Sequence, residues 1–184
     1  TMLDSLRLAE KSCSKTKHPE TFKKFAIVSL HRFETIFKKE KLEQVVKEIQ
    51  KIAKSIKLLF ILHPPTRASL KKYDLYSILE EEADCALLPR QGFFEFSNLL
   101  SEAEFIITDG GSNQEECFYL GIPCLLFRSE TERLEGVGEN VVISKFDPTI
   151  IEDFVCNYKS YRRKPVSEQF SPSRFIVDKL KEFI

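Results

Sequence analysis

No sign of charge dominates this sequence. Lys and Arg number 28 and Asp and Glu also number 28, so no broad field draws the chain to nucleic acid or to an anionic membrane. No apolar run approaches the roughly 20 residues of a bilayer span, and no secretory leader is visible. Cysteine pairs at metal or redox spacing are missing as well. The five cysteines, Cys13, Cys85, Cys117, Cys124 and Cys156, form no CxxC and are odd in number. Cys85 and Cys124 sit inside apolar runs, where a thiol acts as a small hydrophobe, so reduced core thiols in a cytoplasmic protein are expected. The three histidines, His18, His31 and His63, stand at no zinc-ligand spacing from one another, so no protein metal site is expected.

What is present is ordinary globular material. The 184 residues are 42% hydrophobic and 30% charged, enough for a single domain that buries roughly 70% of its unfolded surface. The chain opens on Thr1 rather than Met, and its first residues already read as a helix start, so a piece of a longer protein is expected. Leu3, Leu6, Leu8 and Ala9 predict a short amphipathic helix over 2–13, and 12–24 reads as a polar, basic linker.

Short apolar runs then alternate with helical patterns. Phe25–Leu30, Lys57–Leu62, Asp84–Leu88, Glu104–Thr108, Cys124–Phe127 and Asn140–Ile143 read as six buried strands. Between them, apolar residues at three- and four-residue steps predict helices over 39–54, 67–82 with a break near Tyr73–Asp74, 93–103 and 112–120. Gly121 is placed to end the last of these, with Pro123 beyond it. His63-Pro64-Pro65-Thr66-Arg67 reads as a turn. Two helices, 148–158 and 172–183, close the chain, and Arg162-Arg163-Lys164 between them reads as a solvated face. Nearly all-apolar strands alternating with helices predict a Rossmann-like, doubly wound parallel α/β sheet of about six strands.

In such a fold ligands sit beyond the carboxyl ends of the strands. Five polar clusters fall there: His31-Arg32, His63, Pro89 to Gly92, Asp109 to Ser112, and Arg128. The strand–turn–helix Thr108-Asp109-Gly110-Gly111-Ser112 offers free backbone N–H groups and the positive end of a helix dipole, which suits a phosphate. It is not GxGxxG, so a dinucleotide is disfavoured. Ser112-Asn113-Gln114-Glu115 fits a capping box, with Ser112 as N-cap and Glu115 folding back onto it. Glu116 is then left to accept both hydroxyls of a ribose diol, although acids also favour a helix N-terminus for its dipole alone. His31 can donate to a phosphate or to a leaving oxygen. Arg128 and Arg133 can meet phosphate, but the acids around them favour a structural ion network. Phe93 is read first as core and second as a platform for a base.

These residues resemble a known family. Val28-Ser29-Leu30-His31-Arg32-Phe33-Glu34 resembles the [VT]-x-x-H-R-x-E-N segment of UDP-N-acetylglucosamine 2-epimerases. Asp109-Gly110-Gly111-Ser112-Asn113-Gln114-Glu115-Glu116 is similar to their D-S-G-G-x-Q-E-E. Thr131-Glu132-Arg133-Leu134-Glu135 resembles T-E-R-P-E, preceded by Leu120-Gly121-Ile122-Pro123 for L-G-x-P, and Ser173-Arg174-Phe175-Ile176 resembles the closing S-x-R-I. The likeness covers nearly the whole chain. It departs at Gly110, where the motif has Ser, at Thr35 for Asn and at Leu134 for Pro.

The resemblance implies the second, UDP-binding half of a two-Rossmann architecture of the B-type glycosyltransferase kind, with the N-terminal domain absent. Residues 1–24 would be its entry helix and linker, and 159–184 its linker and closing helix. It also implies the chemistry: removal of the C2 proton of UDP-N-acetylglucosamine, elimination of UDP, and readdition to give UDP-N-acetylmannosamine. His31 would contact the diphosphate, Gly110, Gly111 and Ser112 would hold phosphate, and Glu116 the ribose. No cofactor is expected. A homodimer is admitted, and the isolated half is expected to bind UDP weakly without epimerising it. The nucleotide half of a UDP-sugar glycosyltransferase and a non-catalytic nucleotide-sugar-binding module remain the competing readings.

Overall fold

A computed structural model describes residues 1–11, 23–166 and 170–183. The strands are β1 (Phe25–Ser29), β2 (Lys57–Leu62), β3 (Cys85–Pro89), β4 (Ile106–Thr108), β5 (Cys124–Leu126) and β6 (Val141–Ile143). The helices are α1 (Met2–Lys11), α2 (Phe33–Ile36), α3 (Lys39–Ala53), α4 (Pro64–Lys72), α5 (Tyr76–Glu80), α6 (Phe93–Glu102), α7 (Gly111–Leu120), α8 (Pro148–Asn157) and α9 (Pro172–Lys181). The linker expected over 12–24 lies mostly outside the described residues.

All strand pairs are parallel, in the order β3-β2-β1-β4-β5-β6. This is the doubly wound order, and its direction reverses between β1 and β4. Both faces of the sheet are buried, and the two-residue period sorts each strand between two cores. Ala26, Val28, Leu58 and Phe60 meet α3, α4 and α8 on one side. Phe25, Ile27, Leu59 and Ile61 meet α6 and α7 on the other. Among the described residues no helix is long and apolar enough to cross a membrane.

Three expectations are modified, and one short helix is new. Pro64 and Pro65 open α4 instead of merely breaking the chain, with His63 in the N-cap position. Proline's fixed φ suits a first helical turn, where its missing N–H has no partner to lose. Leu8 points outward at 61% exposure, and Leu3, Leu6 and Ala9 carry the buried face of α1. Arg162 and Lys164 are exposed, as a solvated face would be, but the two arginines also tie the chain down. Arg162 donates to the carbonyls of Ala103 and Glu104 at 2.6 and 2.9 Å, and Arg163 pairs with Glu139 and reaches the Phe118 carbonyl. The short helix α2, too brief for any periodicity, was not expected from the sequence.

Gly121 ends α7 in the left-handed region, at φ 68°. The segment 162–166 crosses directly over it: Arg163 N donates to the Gly121 carbonyl at 2.9 Å and Val166 N to that of Tyr119 at 2.8 Å. A Cβ at Gly121 would lie 2.3 Å from the Arg163 carbonyl oxygen. Only glycine fits here, on dihedral and on space alike.

Candidate functional site

The pairing Ser29↔Thr108 is the last rung between β1 and β4. The residues that follow, Leu30-His31-Arg32 and Asp109-Gly110-Gly111, therefore leave the sheet side by side at the point where strand order reverses. Asp109, fully buried, ties the two segments together. Its Oδ1 accepts from the backbone N–H of His31 at 3.0 Å and its Oδ2 from that of Arg32 at 2.9 Å. The His31 Nδ1 stands 3.6 Å from the same carboxylate. Burying a carboxylate is costly unless donors surround it, and here the donors fix the backbone of His31 beside the glycine turn.

Above this junction opens a cavity of about 510 Å³. His31, Gly110, Gly111, Ser112, Arg133 and Phe93 all line it, as expected, together with His63 and Arg90. Phe93 is 38% exposed, so it belongs to the cavity wall and not to the core. Its role as a wall for a planar ligand was the second of the two readings. Gln91, within the expected Pro89 to Gly92 cluster, also lines the cavity, and so does Phe96, which helical spacing alone did not mark. Glu116 and Arg128 do not line it.

His63 stacks on His31, ring centroids 4.4 Å apart. Burial, followed by the neighbouring His31 and Arg90, pushes the His63 imidazole down to about 4. It is therefore neutral at pH 7. His63 holds the N-cap position of α4 without a side-chain cap hydrogen bond, and its ring packs on His31 instead.

The capping box is not formed. Gly110 is the N-cap of α7 and makes no side-chain cap hydrogen bond, and Ser112 lies inside the first turn. Glu115 does not fold back onto Ser112, because Arg133 recruits it at 2.6 Å. A charged pair outcompetes a reciprocal cap, which would need Ser112, two residues past the observed N-cap, to be the N-cap itself. Arg133 also lies across the turn, its Nε 2.7 Å from where a Gly111 Cβ would stand. The amides of Gly111, Ser112 and Asn113 are first-turn donors without an intrahelical acceptor, which is the arrangement that anions favour.

Glu116 is 4% exposed. Burial, against one hydrogen bond from Asn113, pushes its carboxyl up to about 7. The Asn113 Nδ2 donates to its Oε2 at 2.9 Å. Gln114, fully buried, pins the loop after β5: its Nε2 donates to the carbonyls of Arg133 and Glu135, and Thr131 Oγ1 donates to its Oε1 at 2.9 Å. That loop also carries the expected ion network. Glu132 accepts from Arg128 at 2.7 Å and Arg32 at 3.2 Å. Its carboxyl is held down to about 2, by its own backbone N–H first and then by Arg128. Among the described residues no group of three His, Cys, Asp or Glu side chains is placed to hold a metal ion. Cys85 and Cys117 are buried, which raises both thiols, that of Cys85 to about 12.

The family model described as UDP-N-acetylglucosamine 2-epimerase matches residues 1–169. The UDP-N-acetylglucosamine 2-epimerase of Methanocaldococcus jannaschii is 30% identical over 158 residues, which cover 83% of this chain and 43% of that protein. The structure of UDP-GlcNAc 2-epimerase from the same organism superposes with a TM-score of 0.81 at 28% identity, over 98% of this chain and 53% of that one. A second structure, of the M. jannaschii enzyme in complex with UDP-GlcNAc and UDP, gives 0.78 at 29% identity, over 98% and 52%. The chain spans about half the length of the relatives it matches.

Proposed function

Since this chain belongs to the UDP-N-acetylglucosamine 2-epimerase family, we propose that it is the UDP-binding half of an enzyme that interconverts UDP-GlcNAc and UDP-ManNAc by elimination and readdition of UDP. The observation that carries this reading is the junction at the switch point. There Asp109 clamps the His31-Arg32 segment to the glycine turn, and the cavity lies directly above both.

In this reading the first-turn amides of α7, with Gly110 and Gly111 keeping the wall low, receive the diphosphate. Arg133 exchanges Glu115 for a phosphate oxygen, and Phe93 backs the base. His31 donates to the diphosphate and assists departure of UDP, a charge-developing step that an oriented imidazole stabilises. Glu116, though outside the cavity lining, takes the ribose diol through Oε1, the oxygen that Asn113 does not engage. The carboxylates that move the C2 proton belong to the other half of the enzyme, so this chain alone binds UDP and does not epimerise. We place the protein in the cytoplasm, in line with its buried reduced thiols, and expect a homodimer on the family likeness, which sedimentation of the full-length protein checks.

The test has two arms. Titration of UDP into the 184-residue chain should give saturable binding that His31→Ala weakens by about tenfold. The full-length enzyme in D2O should incorporate deuterium at C2 of UDP-GlcNAc. Absence of exchange, with transfer of the sugar to an acceptor instead, would replace epimerisation by glycosyl transfer.

A further inference from the structure

Asn113 falls on the unspecified position of the glycine-turn motif, yet its side chain links both ends of that turn, Thr108 on one side and Glu116 on the other. Thr108 Oγ1 lies 2.9 Å from Asn113 Oδ1 and 2.9 Å from the Ser29 carbonyl, and it accepts from the Gly110 N–H at 3.0 Å. On its other side Asn113 donates through Nδ2 to Glu116 at 2.9 Å. The amide orientation follows from these partners, because turning it over would set its oxygen against the Glu116 carboxylate. Asn113 lines the cavity; Glu116 is 4% exposed, with its Oε2 engaged by Asn113 and its Oε1 left for a ligand. Space at position 110 belongs to the same arrangement. A Cβ on Gly110 would stand 3.1 Å from Asn113 Oδ1 and 3.2 Å from His31 Cε1. The glycine that replaces the motif's serine is what leaves room for this carboxamide.

We propose that Asn113 is a positioning residue of the ribose subsite, holding Glu116 in the orientation that accepts the diol, with Gly110 as its steric complement. The inference rests on the reading of Glu116 as the ribose ligand. Glu115, the acidic neighbour on the same helix, is engaged by Arg133, which leaves Asn113 as the donor that orients Glu116 from the cavity side. Removing the carboxamide takes away that donor and the link to Thr108 together, while the first-turn amides that would hold phosphate stay in place.

UDP, 2′-deoxy-UDP and inorganic pyrophosphate are titrated into the wild-type chain and into Asn113→Ala, Asn113→Leu and Glu116→Gln, with thermal melts to establish folding. Leu preserves the volume should Ala loosen the turn. Wild type is expected to prefer UDP over 2′-deoxy-UDP by about tenfold, the scale of a hydrogen bond to a charged group. Both Asn113 variants should bring that ratio to within about twofold, with pyrophosphate affinity of the Ala variant unchanged within about twofold. A merely structural role would weaken all three ligands in parallel. A ratio preserved in either folded Asn113 variant, with collapse in Glu116→Gln, overturns the role of Asn113 alone. A wild-type ratio near one overturns the ribose reading of Glu116 and this inference with it.

Discussion

The two ends of α7 are built from the same residue type and do opposite things. At its start, Gly110 and Gly111 keep side chains away from a turn whose amides face an open cavity. At its end, Gly121 is roofed by the chain itself. There the carbonyls of Cys117, Phe118, Tyr119, Gly121 and Ile122 are engaged. Cys117 accepts from Ile122 N and Asn140 Nδ2, Tyr119 from Val166 N, and Ile122 from Asn140 Nδ2. A helix must satisfy its terminal groups somehow. This one satisfies its acceptors internally and leaves its donors toward the cavity. Unspent donors at the end of a helix, beside a fully spent partner end, are what distinguish a binding turn from a structural one.

The largest expected effect breaks the closed end. Gly121→Ala puts a methyl group 2.3 Å from the Arg163 carbonyl oxygen and forces an L-residue to φ 68°. The left-handed penalty alone is about 1–2 kcal/mol, and displacing the strap costs its hydrogen bonds as well. A loss of about 3 kcal/mol is expected, which for a chain of this size lowers the melting midpoint by roughly 6–12 °C. Calorimetry reads it. UDP affinity of the remaining folded protein should not change, because the open end is untouched. A fall in affinity parallel to the fall in stability would show that the two ends are not independent.

Next in size is Asp109→Asn, which breaks the open end from beneath. The carboxylate accepts from two backbone N–H groups through both of its oxygens, whereas a carboxamide has one oxygen and would turn donors toward a donor. About 2 kcal/mol of stability should be lost. Unlike Gly121→Ala, this variant should also weaken UDP by about tenfold, since His31 loses the anchor that sets its backbone. Melting and titration of one sample give both numbers.

Legibility in the sequence follows the same division. The six strands were readable because each is nearly all apolar and meets a core on both faces, and Gly121 because left-handed helix ends select glycine. The strand-end clusters were readable because topology alone places them together. Missed features depend on partners far along the chain. Glu115 is taken by Arg133, 18 positions away, so a local capping pattern could not hold. Gln114, buried under the loop after β5, and Arg162, which caps carbonyls 58 and 59 positions back, carry no local signal. Phe96 reaches the cavity from α6, which period alone cannot tell from a place in the core. The two prolines of α4 were legible in principle, since proline at a first helical turn is a start signal as much as a break.

A third variant separates binding from stability at the open end. Glu116 carries a carboxyl raised to about 7 by burial, above its ordinary value near 4.5. The folded state therefore binds the proton more tightly than the unfolded state, and stability falls as pH rises from about 4.5 to 7. Above pH 7 the buried charge costs the fold about 1–3 kcal/mol. Glu116→Gln should be more stable than wild type by that amount at pH 8 and no different at pH 4, while losing the preference for ribose. Melts at the two pH values check the sign. A stabilisation independent of pH would mean that the carboxyl does not titrate in this window.

The smallest effect is expected where the contacts look most numerous. Glu132 joins Arg128 and Arg32 at the rim, but its side chain is 60% exposed. An exposed carboxylate is screened by water and salt, and it surrenders side-chain freedom to hold the pair. Losing Arg128 also leaves Glu132 with Arg32 as a partner. Arg128→Ala should therefore move the melting midpoint by no more than about 2 °C, and 0.5 M salt should erase the difference. Arg162→Ala, by contrast, uncovers the Ala103 and Glu104 carbonyls at the end of α6, and salt should leave its larger loss in place. Equal, salt-insensitive losses would mean that the rim network is held as rigidly as the strap, and the open end would then be closed before any ligand arrives.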